Sequence, residues 1–275
     1  MRPCEEQLKR LRHVVLDMDG TIYLGDELFE QTLPFLELLE AQQIGCTYIT
    51  NNNSRSRQEY VAHLERMGIQ ARPDQIFSSA HGTLEYLSKK LPDVKRVFVL
   101  GSAGLVEDLE QGGLALAEGR PDAVIVGFDR MLGYDRIAQT AYWIKQGLPY
   151  LATHPDLICP TNQPTVLPDC GAVCALLEAA TGRRPDFVPG KPSPAMIEGV
   201  MRRNAIKPTE MAMIGDRIYT DMRMAADAGV MAVLTLTGEA TAEQAAESTV
   251  KLDMVVTNLG DFSHQLMAAR SCRTN

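Results

Sequence analysis

The chain has 275 residues, of which 45% are hydrophobic and 23% charged, with a formal net charge of −8. That length holds one large domain or two ordinary ones, and the composition is that of a globular chain and gives no sign of disorder. The acidic balance disfavours nucleic-acid polymers and anionic membranes as partners, so an anionic substrate has to be met by a local metal, a lysine or aligned backbone N–H groups.

No apolar run approaches the ~20 residues of a bilayer span, and the charged segment Met1 to His13 lacks a signal peptide's apolar core. Six cysteines (Cys4, Cys46, Cys159, Cys170, Cys174, Cys272) include no Cys-x-x-Cys pair. Scattered thiols of this kind predict a reducing, cytoplasmic compartment.

The first predicted element is the strand Val14-Val15-Leu16, which runs into Asp17-Met18-Asp19-Gly20-Thr21. Residues i and i+2 of a strand share a face, so Asp17 and Asp19 emerge side by side, and Gly20 permits a sharp turn. Two crowded carboxylates call for a counter-charge; a hard divalent cation such as magnesium is the simplest, and a phosphate substrate follows. A helix is predicted over 30–44, a strand over 46–50 ending in Asn51-Asn52-Asn53-Ser54, and a helix over 57–67. Strand alternating with helix is the rhythm of a parallel sheet.

The rhythm restarts near residue 80. Strands are predicted at 96–100, 123–128 and 149–153, and helices at 134–146 and 172–180. Gly101-Ser102-Ala103-Gly104 lacks the third glycine of a phosphate loop and reads as a strand-to-helix turn. From residue 186 come a short strand at 187–188, Lys191, a helix over 193–204, a strand at 211–214 closing on Gly215-Asp216, and a helix over 220–228. Two further strands fall at 230–236 and 254–257. The expected boundaries are 1–79 plus 186–275 for a doubly wound parallel-sheet α/β core, with 80–185 as an inserted α/β domain above the carboxyl ends of its strands.

Four pieces then fall in order: Asp17-x-Asp19-Gly20-Thr21, Thr50-Asn51, Lys191, and Gly215-Asp216 with Asp221 five residues on. With these the chain resembles the haloacid dehalogenase-like phosphohydrolases. Ile49-Thr50-Asn51-Asn52, Val126-Gly127-Phe128-Asp129 and Gly190-Lys191-Pro192-Ser193-Pro194 are similar to the p-nitrophenylphosphatase-like branch, which acts on nucleotide monophosphates, sugar phosphates and related monoesters. The resemblance covers essentially the whole chain. It implies that 80–185 is a cap that selects substrate, that Asp17 is the nucleophile and Asp19 the acid and then the base. It also implies that Asp17, the Asp19 carbonyl and Asp216 hold Mg2+, with Asp221 orienting them. Lys191, Thr50, Asn51, Asn52 and the Gly20 turn receive the phosphate. Asp169 falls where such caps carry a substrate-reading loop, and the same likeness implies a homodimer formed through the cap.

Singly, these residues have ordinary readings. Asp17 to Thr21 could be a turn, Asp221 a helix cap, Lys191 a solvated loop lysine and Thr50 to Asn53 an N-cap; their joint occurrence decides against that. A calcium loop is excluded because Leu28 stands at the twelfth position from Asp17. His154, in the irregular stretch of the inserted domain, could touch substrate but reads rather as a loop histidine without a role, and Cys170 has no local histidine to activate it. The expected function is Mg-dependent hydrolysis of a small phosphomonoester, a phosphorylated metabolite, through an aspartyl phosphate. The alternatives are a phosphate-binding or regulatory module without turnover and a receiver-type domain, the latter disfavoured by the inserted domain and by Asp19.

Overall fold

The computed structural model describes residues 3–159 and 165–271. Its strands in chain order are β1 (His13–Asp17), β2 (Tyr23–Leu24), β3 (Glu27–Leu28), β4 (Gly45–Thr50), β5 (Ile76–Ser78), β6 (Arg96–Leu100), β7 (Ala115–Leu116), β8 (Ala123–Val126), β9 (Tyr150–Ala152), β10 (Ile158–Cys159), β11 (Leu167–Pro168), β12 (Met211–Gly215), β13 (Met231–Thr235) and β14 (Met254–Val256). The chain forms two compact units. One is drawn from Met1–Ile49, Leu64–Ile76 and Ile197–Asn275, the other from Thr50–His63 and Phe77–Met196.

The first unit is built on a six-stranded sheet of order β14-β13-β12-β1-β4-β5. β1 lies inside it, parallel to β12 and β4, with Val15 opposite Met213 and Thr47. Val14, Val15 and Leu16 are all buried, as a strand covered on both faces requires. The helices Thr32–Ala41 and Leu259–Ser271 pack together, Phe35 meeting Phe262 edge to face at 5.9 Å. Because β1, β12 and β13 run parallel, their last residues lie along one sheet edge. This is the architecture of a doubly wound α/β core with an inserted α/β cap.

The second unit has its own four-stranded parallel sheet, β7-β6-β8-β9. Alternation along β8 places Val124 and Val126 in one core with Ile144, Tyr150 and Leu177, and Ile125 in another with Leu87, Leu105 and Leu109. Helices Tyr134–Lys145 and Cys170–Thr181 cover the first face, Ser79–Lys90 and Ala103–Gln111 the second. Ser102 caps the last of these, accepting from Leu105 N at 3.1 Å, so the 101–104 segment is a strand-to-helix turn.

The two compact units do not follow the expected boundaries at 79/80 and 185/186. Residues 50–63 and 186–196 belong with the second unit. Polar ties explain this: Asn53 Nδ2 donates to Ser79 Oγ and Thr153 Oγ1, and Arg57 N to Asp108 Oδ1. Asp186 N donates to Tyr150 O and Ala152 N to Phe187 O. The short strand expected at 187–188 is a single bridge between Leu151 and Phe187. The helix expected over 220–228 opens as a π turn, Ile218–Met222, before the α-helix Arg223–Ala228. Among the described residues no helix is long and apolar enough to cross a membrane.

Candidate active site

β1 ends on Asp17 and β12 on Gly215, and Leu16 pairs with Ile214, so the chain delivers Asp17 and Asp216 from adjacent strand ends. The π turn brings Asp221 back to them. Carboxylate oxygens of Asp17, Asp216 and Asp221 lie within 4.8 Å of one another, and all three side chains are buried. Asp221 Oδ2 accepts from Arg217 N at 3.2 Å, and a Cβ at Gly215 would collide with Asp221 at 2.6 Å. Thr21 Oγ1 reaches Asp17 Oδ2 at 3.4 Å. Asp19, one residue past Met18, is half-buried beside the cluster's turn.

Two loops press their backbones against Asp216. Gly20 takes φ +88°, and a Cβ there would strike Asp216 Oδ2. Gly238, in the loop after β13, approaches the same oxygen, and Glu239 N donates to it at 2.7 Å. Thr237 Oγ1 donates to Gly20 O at 2.6 Å, joining the two loops, while Arg217 pairs with Glu239 at 2.9 Å. Thr237, Gly238 and Glu239 lie outside the motifs, and Arg217 lies inside the 215–221 motif without having been assigned a role. The available signal was the polar strand end after β13, on the edge where open α/β sheets bind ligands.

Burial, then the charges of Asp17 and Asp221, push the Asp216 carboxyl up to about 8. Its Oδ1 is buried without a hydrogen-bond partner. Three buried oxygen donors, one of them unsatisfied, fit a hard divalent cation.

The second unit gathers the other sequence-selected residues. Asn51 Oδ1 accepts from Lys191 N at 2.7 Å, and Asn51 Nδ2 donates to Lys191 O and to Asp156 Oδ2, each at 3.0 Å. Thr50 Oγ1 accepts from Asn52 N at 3.1 Å. Asp169 is 4% exposed, and its Oδ1 accepts from His154 Nε2 at 2.8 Å and from Cys170 N at 2.6 Å. His154, read from the sequence as a loop residue without a role, is wholly buried. Cys170 is buried too, and burial raises its thiol well above the ordinary range, as expected of an unactivated sulfur.

A parallel core with an acidic triad at its strand ends and an inserted cap defines a class. Residues 14–115 match the haloacid dehalogenase-like hydrolase model and residues 188–262 a second HAD-like hydrolase model, and the chain belongs to this family. It is 37% identical to a 4-nitrophenylphosphatase from Thermotoga maritima of solved structure, at TM-score 0.89 over 94% of this chain and 98% of that one. An acid sugar phosphatase of Staphylococcus haemolyticus is 30% identical over 87% of this chain and 90% of its own length. A glycerol phosphate phosphatase from Mycobacterium tuberculosis, solved with magnesium, is 29% identical at TM-score 0.84, over 94% of this chain and 77% of that one.

Proposed function

We propose that this protein is a magnesium-dependent phosphatase of small phosphomonoesters that works through an aspartyl phosphate on Asp17. The observation that carries the reading is the buried triad Asp17, Asp216 and Asp221 with Asp216 Oδ1 unpartnered, at the strand ends of a chain similar to three phosphatases. Asp17, the Asp19 main-chain carbonyl and Asp216 would hold the cation, and Asp221 would orient them through the Arg217 amide. When bound, magnesium supplies positive charge that lets an anionic nucleophile approach an anionic phosphate.

In the first step Asp17 attacks phosphorus, the ester P–O bond breaks, and Asp19 gives its proton to the leaving alkoxide. In the second, Asp19 takes a proton from water, whose oxygen attacks phosphorus and releases Asp17 and inorganic phosphate. Lys191, Thr50, Asn51, Asn52 and the Gly20 turn are assigned to the phosphate oxygens, and Asp169 to the loop that governs the leaving group. Sugar phosphates, nucleotide monophosphates and p-nitrophenyl phosphate are the substrate class we assign, with selection among them assigned to the second unit. Free cysteines at positions 46, 159, 170 and 174 support a reducing, cytoplasmic setting.

The deciding experiment is p-nitrophenyl phosphate hydrolysis with magnesium. Asp17→Asn should abolish turnover, and Asp19→Asn should accumulate phospho-enzyme detectable by mass spectrometry. Full turnover in Asp17→Asn would remove the nucleophile, and phosphate binding without turnover in the native chain would leave a binding module.

A further inference from the structure

The second unit contains a polar chain that begins at His154, to which the reaction gives no role, and ends on Asn51 and Lys191. His154 is wholly buried, so it cannot touch a substrate, yet both of its ring nitrogens are engaged. Nε2 lies 2.8 Å from Asp169 Oδ1 and Nδ1 lies 2.9 Å from Thr153 Oγ1, which in turn accepts from Asn53 Nδ2 at 2.8 Å. Asp169 N donates to Leu157 O and Gly171 N to Asp156 O, so the residues around Asp169 are stitched to the turn that carries Asp156. Asp156 Oδ2 receives Asn51 Nδ2, and Asn51 brackets both the N–H and the carbonyl of Lys191.

Backbone packing leaves this assembly little slack. A Cβ at Gly171 would strike Pro155 O, and one at Gly190 would strike Thr153 O. An imidazole buried between a carboxylate and a hydroxyl is costly unless both nitrogens are satisfied, which makes its geometry all-or-none.

We propose that His154 is a positioning residue: with Asp169 it fixes the 153–156 turn so that Asp156 keeps Asn51 clasped on Lys191. The inference rests on the functional reading above, in which Asn51 and Lys191 meet the phosphate. The charge state agrees with the geometry. Burial opposes a charged ring, but Cys170, the Asp169 hydrogen bond and the charges of Asp169 and Asp156 outweigh it and push His154 up to about 9. A doubly protonated ring donates to Asp169 and to Thr153 at once, and Thr153 then offers its own proton to Cys170 Sγ at 3.8 Å.

The test uses the full chain with magnesium and p-nitrophenyl phosphate, comparing His154→Ala, Asp169→Asn and their double variant well below their melting temperatures. Each single variant should lower kcat by about tenfold or more. The double should be no worse than the poorer single, because the pair acts as one unit. Magnesium affinity should stay unchanged, since the triad is held by other loops. His154→Gln, whose amide can still donate to Asp169, should recover part of kcat, a rescue that loss of bulk packing alone would not give. A kcat within about twofold of native in His154→Ala, or losses that multiply in the double, overturns the proposal. Should His154→Ala fail to fold, Asp156→Ala decides: it removes the half-buried acceptor of Asn51 Nδ2, must lower kcat, and at native kcat removes the clasp. A native chain without turnover counts against the functional reading alone. A normal kcat in His154→Ala, with turnover lost in Asp17→Asn, counts against the positioning pair alone.

Discussion

Asp216 shows how a single carboxyl couples the stability of this protein to its metal. In the metal-free fold its pKa stands near 8 against an ordinary 3.8, through burial and the neighbouring Asp17 and Asp221 charges. Between about pH 4 and pH 8 the folded chain therefore holds a proton that the unfolded chain has released. The folded state is the better proton binder, so Asp216 makes metal-free stability fall as pH rises through that window. A divalent cation requires the ionised form, so binding displaces the proton and strengthens with pH up to about 8. Calorimetry at pH 6, 7 and 8 should show magnesium affinity rising and proton release in buffers of different ionisation heat. Removing the metal with a chelator should lower the melting temperature; restoring magnesium to a hundred times its Kd adds about 2.7 kcal/mol. Asp216→Asn should lose both the pH dependence and at least about tenfold in affinity. An affinity independent of pH in the native chain would place the cation away from Asp216.

At the scale of elements, the loop after β13 does more for the acidic cluster than its sequence advertises. It supplies the Glu239 amide to Asp216 Oδ2, the Thr237 hydroxyl to Gly20 O, and a side-chain-free position at Gly238 against Asp216. Gly238→Ala should force the loop outward, break the Glu239 contact and weaken magnesium by about tenfold, at a stability cost of roughly 1–3 kcal/mol. Gly119→Ala is the control: nothing lies within 4 Å of its Cβ, and both magnesium affinity and melting temperature should stay native. Equal effects in the two variants would mean that Gly238 reports only general tightness. The contrast also marks what was legible beforehand. Asp17, Asp19 and Asp216 stood out because apolar strands running into carboxylates recur together with Thr50-Asn51 and Lys191 in one order, although each alone has an ordinary reading. Thr237 to Glu239 did not, because a hydroxyl and a glycine after a strand occur in any turn, and only the distance to Asp216 singles them out. The allegiance of residues 50–63 was hidden for a related reason. The helical spacing of Tyr60 and Val61 shows an apolar face but not the unit to which the segment belongs, whereas Asn53 and Arg57 tie it to Thr153 and Asp108 by hydrogen bonds. The burial of His154 was not legible in the sequence, because a polar side chain inside an irregular stretch leaves no periodic trace.

For the whole molecule the remaining question is whether one copy suffices. The second unit displays large apolar side chains that its own two cores leave out: Met131 is 81% exposed, Tyr134 84% and Leu132 38%, within one four-residue stretch. Single exposed apolar residues are ordinary, but three so close together mark a surface that benefits from being covered. A second copy is the occupant we propose, since a two-fold axis buries the same patch on both partners and leaves no open edge. The net charge of −8 works against association at long range and is screened by salt, so the apolar contact should prevail as ionic strength rises. Light scattering should give twice the 30.3 kDa chain mass, with the dimer fraction growing with concentration and with salt. Met131→Asp combined with Tyr134→Ser should give the monomer mass while leaving the magnesium affinity of the Asp17, Asp216 and Asp221 cluster untouched, because none of these three belongs to the unit that bears the patch. A native chain of monomer mass at its highest soluble concentration refutes the pairing, and a dimer that survives both substitutions moves it to another face.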